Sequence, residues 1–464
     1  MTTPSVDSFD VVVVGAGPAG EAAAGDLAQT GRRVAIVEAA LVGGECAFYA
    51  CMPSKALLRP AEALAETRRV PGAAEAVTGS LDVAAVLARR DEVIGRLDDA
   101  SKLPWLSERD ITLIRGHGRL DGERCVSVGG HRYHAREAVL IAVGSVAAIP
   151  DVPGLADARP WTNREATTSR ALPSSLLVLG GGPVGVELAQ AYAELGVTVT
   201  LIEALDRLLA REEEFVADQL ATAFRELAID VRLGVRAKSV ARDGGSVTVE
   251  LSDGGRVQGE EILVAVGRRP LTDDLGLQTV GLEPGELIAV DDSLRVPGVP
   301  WLYAVGDVNG RSLLTHMGKH QARIAAAVIA GGDARTVPDS APVPRVIFTN
   351  PQVAAVGLTL AEARDRGIDA RAYDVATSAT AGASFHGRNT PGTARLVVDE
   401  RRGLLIGATF TGFEVAEWLH AATIALVAEI PLERLWYAVP AFPTRSEVWL
   451  RLLEQRGRLG ADHS

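Results

Sequence analysis

Cysteine is scarce in this 464-residue chain, which holds three. A fold stapled by disulfides would carry more of them in a shorter chain. Two of the three, Cys46 and Cys51, stand five residues apart. Closing so short a loop removes little entropy from the unfolded state, so stapling does not explain the pair. Cys125 stands alone in an alternating, strand-like stretch and reads as structural. Cations are also in deficit: 47 Lys and Arg against 59 Asp and Glu give a formal charge of -12. That balance excludes a broad basic surface for nucleic acid or an anionic membrane. No apolar run approaches the ~18 residues of a membrane span. The opening MTTPSVDSFD has neither the basic nor the apolar segment of a secretory signal, so a cytoplasmic protein is expected. A hydrophobic share of 47% with 23% charged residues suits folded domains rather than disorder. The length exceeds what one core serves and predicts two or three domains.

What is present is an internal repeat. VVVVGAGPAG at Val11–Gly20 recurs in outline as LLVLGGGPVG at Leu176–Gly185. Each copy is an apolar run, a Gly-x-Gly-x-x-Gly turn and a helical stretch. Each then returns to an apolar run ending in an acid, Glu38 or Glu203, 23 residues after the first glycine. The first glycine permits the tight turn, the second lets backbone approach a pyrophosphate, and the third lets helix and strand pack closely. The helix N-terminus offers free N–H groups and partial positive charge to the phosphates, and the acid accepts from ribose hydroxyls. Two such copies predict an α/β protein with two Rossmann-like dinucleotide-binding domains.

Between the copies a long helical region is expected over 81–108, then short strands near 111–120 and 125–128. The run Ala138–Gly144 leads into Pro150, Pro153 and Gly154, a plausible domain crossover. EEILVAVGRRP at 260–270 closes a second α/β unit, and WLYAVGDV at 301–308 reads as a buried strand ending in Gly306 and Asp307. A helix should follow over 316–330. A Pro-rich link at 337–344 opens a last region of mixed strands and helices, an α+β pattern.

The segment GGECAFYACMPSK, 43–55, resembles the Gly-Gly-x-Cys-x-x-x-x-Cys-x-Pro-Ser-Lys signature of the pyridine nucleotide–disulfide oxidoreductases. Dihydrolipoamide dehydrogenase, glutathione reductase and mercuric reductase belong to that family. The resemblance covers nearly the whole chain. It implies an FAD-binding domain over 1–155, an NAD(P)-binding domain over 156–275, a return to the FAD domain over 276–340, and a C-terminal interface or dimerisation domain over 341–464. It also implies a homodimer using FAD and NAD(H) to reduce a small-molecule electron acceptor.

Site residues carried over by the resemblance are as follows. Gly15, Gly17, Gly20 and Glu38 would hold the adenosine half of FAD, and Asp307, with Gly306 beside it, the ribityl chain. Gly180, Gly182, Gly185 and Glu203 would hold the nicotinamide dinucleotide. Gly44, Gly144 and Gly267 join the cofactor-binding set. Lys55 and Glu187 match an ion pair placed beside the flavin. Cys51 would be the thiol against the flavin and Cys46 the one that meets substrate. The chemistry agrees, because the thiolate is the nucleophile. Pro53 suits a helix's first position, and that helix start and the cation of Lys55 both favour an anionic sulfur at Cys51.

One departure matters. The family's interface domain supplies His-x-His-Pro-Thr-x-x-Glu, whose second histidine is the acid/base for the substrate-facing thiol. Here the stretch is Pro440-Ala441-Phe442-Pro443-Thr444-Arg445-Ser446-Glu447. Phe442 cannot transfer a proton, and such help is worth ~100–10,000-fold. His386 and His420 read as surface or core residues, while the retained Glu447 is a candidate to work through a water. Mercuric reductases resemble one another in a C-terminal cysteine pair, which is lacking here, as is an N-terminal Cys-x-x-Cys; no metal site is expected. Phe48, Tyr49 and Ala50 also depart from the smaller residues usual inside the cysteine motif. Glu203, with Asp206-Arg207 following, predicts NADH over NADPH. The leading expectation is an NADH-dependent, dihydrolipoamide dehydrogenase-like disulfide reductase. The alternatives are a quinone, dye or metal-ion reductase and a redox-sensing or assembly subunit with little turnover.

Overall fold

The computed structural model describes residues 7–337, 342–387 and 390–457; the expected Pro-rich link at 337–344 lies partly outside them. Backbone contacts gather the chain into two compact units. The first comprises Met1–Pro53, Ala88–Ala148 and Gly267–Ser340. Its sheet runs in the order Arg295–Val296, Val299–Ala304, His131–Ile141, Asp7–Val14, Val34–Glu38 and Thr112–Arg115. The pairs inside this order are parallel from Val299–Ala304 onward. Strand Asp7–Val14 is central, with Val11 to Val14 in register with Val34 to Val37 on one side and Ala138 to Ile141 on the other.

A continuous valine run fits that place, because a central parallel strand is buried on both faces. Val11 and Val13 pack with helices Pro18–Gln29 and Thr315–Ile329 through Ala23, Leu27, Ala322 and Ala325. Val12 and Val14 face the opposite layer, built on Val126, Val128, Leu275 and Ile288. Each such fully buried side chain contributes about 1.5–3 kcal/mol. An antiparallel extension, Gly118–Leu120 with Cys125–Val128, pairs onto His131–Ile141 and buries Cys125.

The second unit comprises Ser54–Leu87, Ile149–Val266 and Ala341–Ser464. Its parallel sheet runs Asp230–Arg232, Thr198–Ile202, Ser175–Leu179 and Glu261–Val264. Helices Pro183–Glu194 and Glu214–Glu226 cover one face, and the antiparallel strands Ala237–Asp243, Ser246–Leu251 and Arg256–Gly259 cover the other. The unit also holds a five-stranded antiparallel sheet, Arg345–Ile347, Gln352–Gly357, Leu404–Gly412, Thr393–Asp399 and Ala370–Ala376. Helices Leu419–Val427 and Val448–Arg456 pack on it. Two Rossmann-like folds and an antiparallel α+β region are therefore both present.

The helical region expected over 81–108 is present in several pieces rather than as one helix. It runs Val83–Val93, passes through Gly95, Arg96 and Leu97 at positive φ, and resumes at Leu103–Ser107 with Pro104 in its first turn. Gly95 ends the first piece and Pro104 opens the second, where a missing N–H costs nothing. The helix expected over 316–330 is Thr315–Ile329.

Helix Pro183–Glu194 carries an unusual polar load. Gln190 is 1% exposed and its side-chain N–H donates to Glu194 Oε1 at 2.8 Å. Glu194 Oε2 is buried without a hydrogen-bond partner. Burial, reinforced by the nearby carboxylate of Glu62, pushes the Glu194 pKa up to about 7 despite the Gln190 bond. The native state thus holds this proton more tightly than the unfolded chain, so stability falls as pH rises from about 4.5 through 7. Glu194→Gln, which cannot ionise, should raise thermal stability at pH 8 by about 1–2 kcal/mol and leave it unchanged at pH 4.5. Urea or thermal denaturation at the two pH values reads this out, and a gap independent of pH would contradict it.

Candidate active site

The two fingerprint turns repeat each other closely. Gly15 and Gly180 take φ +103° and +110°, where a Cβ would meet the carbonyl of Ala142 or Ala265. A Cβ at Gly20 or Gly185 would collide with the carbonyl of Gly15 or Gly180, so helix and turn touch backbone to backbone. At Gly17 and Gly182 nothing lies within 4 Å of the Cβ position, which leaves the approach to both helix N-termini open.

The acids close each turn. Glu38 accepts from the N–H of Ala16 at 2.8 Å and of Ala40 at 2.7 Å. Glu203 accepts from the N–H of Gly181 at 2.5 Å and of Leu205 at 2.7 Å. Free N–H groups at a helix start, an open glycine face and a backbone-fixed carboxylate are a donor set that fits a dinucleotide. FAD and a nicotinamide nucleotide both fit on these observations. Arg207 is directed elsewhere, donating to the Ala210 carbonyl at 2.8 Å.

In the first unit, Asp307 lies just after strand Val299–Ala304. Ser145 Oγ donates to its carboxylate at 2.5 Å, and Arg268 donates to Ser145 Oγ and to the Ser145 carbonyl, each at 2.7 Å. Arg268 also stands 3.8 Å from Asp307 and 3.9 Å from Glu45. The antiparallel pairing of Ser145–Ala147 with Arg268–Pro270 brings these groups together and places Gly144 and Gly267 at its ends. Gly306 is backed by Gln321, whose side-chain oxygen accepts its N–H at 2.8 Å. Gly44 sits so close to Gly17 that a Cβ would come 2.8 Å from its Cα.

Cys46 and Cys51 are both half-buried free thiols of the first unit. Cys46 lies in the short helix Gly44–Phe48, and Cys51 is the first residue of helix Cys51–Arg69. Helix start was expected at Pro53; Pro53 instead occupies the first turn, where its lost N–H had no partner to satisfy. The macrodipole therefore acts directly on Cys51, favouring negative charge on its sulfur. Thr315, opening helix Thr315–Ile329, places Oγ1 3.6 Å from Cys51 Sγ. The Cys46 thiol is pushed well above the usual thiol range by its hydrogen bond to Cys51, by burial and by the Cys51 charge. The Thr315 hydroxyl and the Lys319 cation oppose that shift without cancelling it. The two sulfurs thus stand in unlike surroundings: the helix start favours negative charge at Cys51, while the Cys46 thiol is held above the usual range.

In the second unit, Lys55 Nζ stands 2.6 Å from Glu187 Oε2. The backbone N–H of Phe348 donates to Glu187 Oε1 at 2.8 Å, and Lys55 Nζ lies 4.7 Å above the Phe348 ring. The Phe348 side chain packs with Leu57, Leu58, Ala191 and Leu195. One aromatic residue thus grips both members of a largely buried pair whose desolvation demands such support.

The departing stretch is also in the second unit. Phe442 is 76% exposed, while Glu447 is 5% exposed with Oε2 lacking any hydrogen-bond partner. His386 lies against the Phe413 ring at 5.6 Å, and His420 is exposed on helix Leu419–Val427. Among the described residues no helix is long and apolar enough to cross a membrane. Sequence reasoning missed Thr315, Ser145, Arg268 and Phe348. Arg268 had a signal in its place beside Gly267; Thr315 and Phe348 had none, since only the fold sets them beside a thiol or an ion pair.

Comparison with known proteins agrees with this geometry. Residues 9–334 match the pyridine nucleotide-disulphide oxidoreductase family, and residues 343–452 match its dimerisation domain. The dihydrolipoyl dehydrogenase of Mycobacterium bovis is 35% identical over 456 residues, covering 95% of this chain and 96% of that protein. A mercuric reductase of Shigella flexneri is 34% identical over 450 residues, covering 93% of this chain and 78% of its own. Among solved structures, the HOCl-induced flavoprotein disulfide reductase RclA of Escherichia coli, in a Cu(II) complex, superposes with a TM-score of 0.86 at 25% identity, covering 97% and 99% of the two chains. With family models covering most of its length and full-length relatives above 30% identity, the chain belongs to the pyridine nucleotide-disulphide oxidoreductases, flavoenzymes that take electrons from a nicotinamide nucleotide.

Proposed function

We propose that the protein is an NADH-dependent disulfide reductase acting through Cys46 and Cys51 on a small disulfide-type acceptor. The observation that carries this reading is the hydrogen-bonded pair of free thiols inside the family's cysteine segment, with Cys51 at a helix start. FAD, when bound, supplies the two-electron relay between nicotinamide and the cysteine disulfide. Glu38, Asp307 and the first glycine turn would hold it, while Glu203 and the second turn would hold the nicotinamide nucleotide.

In the reduced pair, Cys46 loses its proton and attacks one sulfur of the acceptor, forming a mixed disulfide and expelling the other as a thiolate. Cys51 then attacks Cys46, restoring the intramolecular disulfide and releasing the second acceptor thiol. One expelled thiolate can take the proton that Cys46 gives up and the other takes a proton from solvent, since Cys51 attacks as the thiolate, and Cys46 parts with its own reluctantly. Glu447 is the candidate to ferry them through a water. Its buried Oε2 has no partner, and an unpaired buried carboxylate oxygen calls for one. The matched dimerisation domain carries Glu447, so it would serve the thiols of a second copy in a homodimer.

Cys46→Ser should abolish turnover of small disulfides such as lipoamide, and Glu447→Gln should lower it by roughly tenfold or more. Subunits of the two variants, mixed and reassociated, should recover part of the lost rate. Unchanged turnover in Glu447→Gln, or no recovery on mixing, would remove Glu447 from this role.

Nucleotide choice rests on Glu203. A carboxylate fixed by two backbone N–H groups keeps its charge where ribose hydroxyls arrive and repels a 2′-phosphate, and Arg207 is turned to Ala210. NADH should exceed NADPH in kcat/KM, and Glu203→Ala should narrow the ratio. Equal or better efficiency with NADPH in the native enzyme would overturn this.

A second reading has one observation in its favour. Phe442, exposed where the family places its proton-carrying histidine, suits an acceptor that needs no protonation, such as a quinone or a soft metal ion. One relative is named a mercuric reductase, and the disulfide reductase RclA has been solved as a Cu(II) complex. Quinone or metal reduction that outpaces every disulfide tried would favour it.

A further inference from the structure

The internal repeat runs further than its glycines. In each copy the chain passes the acid, then folds back to the carbonyl of the residue after the first glycine. The N–H of Gly43 donates to Ala16 at 2.7 Å, and that of Leu209 donates to Gly181 at 3.0 Å. Beyond that contact the copies diverge. Gly43 leads directly into the short helix that carries Cys46. Leu209 leads instead to Glu212 and Glu213, adjacent in sequence and only 6% and 5% exposed.

Two neighbouring buried carboxylates demand cations. Both receive them from the five-stranded antiparallel sheet of the same unit. Arg345 Nε and Nη2 donate to the two oxygens of Glu212 at 2.6 Å and 2.9 Å. Arg395 Nη1 donates to Glu213 Oε2 at 2.8 Å, and its other two nitrogens hold Asp374 at 2.7 Å each. The Leu360 N–H donates to Glu213 Oε1 at 2.8 Å, and the Arg395 guanidinium lies 4.8 Å above the Phe215 ring. Arg345, Leu360, Asp374 and Arg395 all fall in the stretch matched as the dimerisation domain.

What this grip holds is a strained return of the chain. Leu209 sits at φ +49°, a conformation that a leucine keeps only where its surroundings impose it. The Glu212 N–H donates to the Leu209 carbonyl at 2.8 Å and ties the anchor to the strained residue. Leu208 packs so near Gly181 that a Cβ there would come 2.7 Å from its side chain. Gly181 is thus fixed from both sides, its N–H by Glu203 and its carbonyl by Leu209.

We infer that Arg345 and Arg395 are positioning residues for the nicotinamide nucleotide, holding Leu208 and Leu209 against the second glycine turn through Glu212 and Glu213. The inference rests on the reading that this turn binds that nucleotide. Coupling between two places is reciprocal, so a nucleotide bound at the turn steadies the sheet's side of the contact as well. FAD, at the first turn, is indifferent to both arginines.

Anaerobic stopped-flow reduction of the bound flavin by NADH gives the first test. Arg345→Met combined with Glu212→Gln leaves no buried charge unpaired. It should raise the half-saturating NADH concentration about tenfold, within the usual range for coupled sites. The limiting rate and the FAD content should not change. A lower melting temperature with an unchanged half-saturating concentration would make the pair structural only and overturn the inference. Should the variant fail to fold, hydrogen exchange in the native, FAD-loaded protein decides the matter. Added NAD+ should slow exchange at the Leu209 N–H and also at the Leu360 N–H, across the Glu213 contact. Protection at Leu209 with none at Leu360 overturns the inference alone, and protection at neither takes the nucleotide reading down with it.

Discussion

Both nucleotide turns depend on one constraint: backbone must touch backbone where the first glycine meets the next strand. At Gly15 and Gly180 the carbonyls of Ala142 and Ala265 stand where a Cβ would be, and Gly20 and Gly185 close on the same turns from the helix side. That contact brings each helix N-terminus to the end of its sheet and leaves Gly17 and Gly182 open. Glu38 and Glu203 then lock the turns by accepting two backbone N–H groups apiece. The same carboxylates set how a ribose can be read. Fold and cofactor chemistry thus meet in the same few atoms.

The thiol pair obeys a different logic, that of charge placement. Cys51 opens a helix of 19 residues, so its sulfur meets the positive end of the dipole. Cys46, hydrogen-bonded to it and half-buried, is held above the usual thiol range. Thr315, at the start of another helix, offers a hydroxyl to the same sulfur. A pair divided in this way has one member suited to donate charge and one suited to attack after deprotonation. The absence of a histidine at Phe442 leaves that deprotonation to be managed otherwise, which is where the buried, unpaired oxygen of Glu447 gains its interest.

Much of this was legible in the chain. Glycine turns are read easily because the residue type itself is the constraint, and valine runs report burial on both faces directly. The cysteine segment was legible because its spacing and flanks are specific. Less visible was anything set by a distant neighbour. The helical region expected over 81–108 is divided at Gly95, whose positive φ local periodicity does not reveal. The helix at Cys51 begins two residues before Pro53, since proline is tolerated anywhere in a first turn. The contacts of Thr315 and Phe348 join segments hundreds of residues apart, and no periodicity or motif announces them.

The central claim is that electrons reach the acceptor through Cys46 and Cys51. Anaerobic titration of the FAD-loaded protein with NADH tests it most directly, following the visible spectrum and counting electrons taken up. The account predicts a long-wavelength thiolate–flavin absorption band at two electrons, lost in Cys51→Ser. Direct bleaching of the flavin absorption with no such band, identical when both cysteines are replaced, would show the thiol pair to be a bystander and contradict the account.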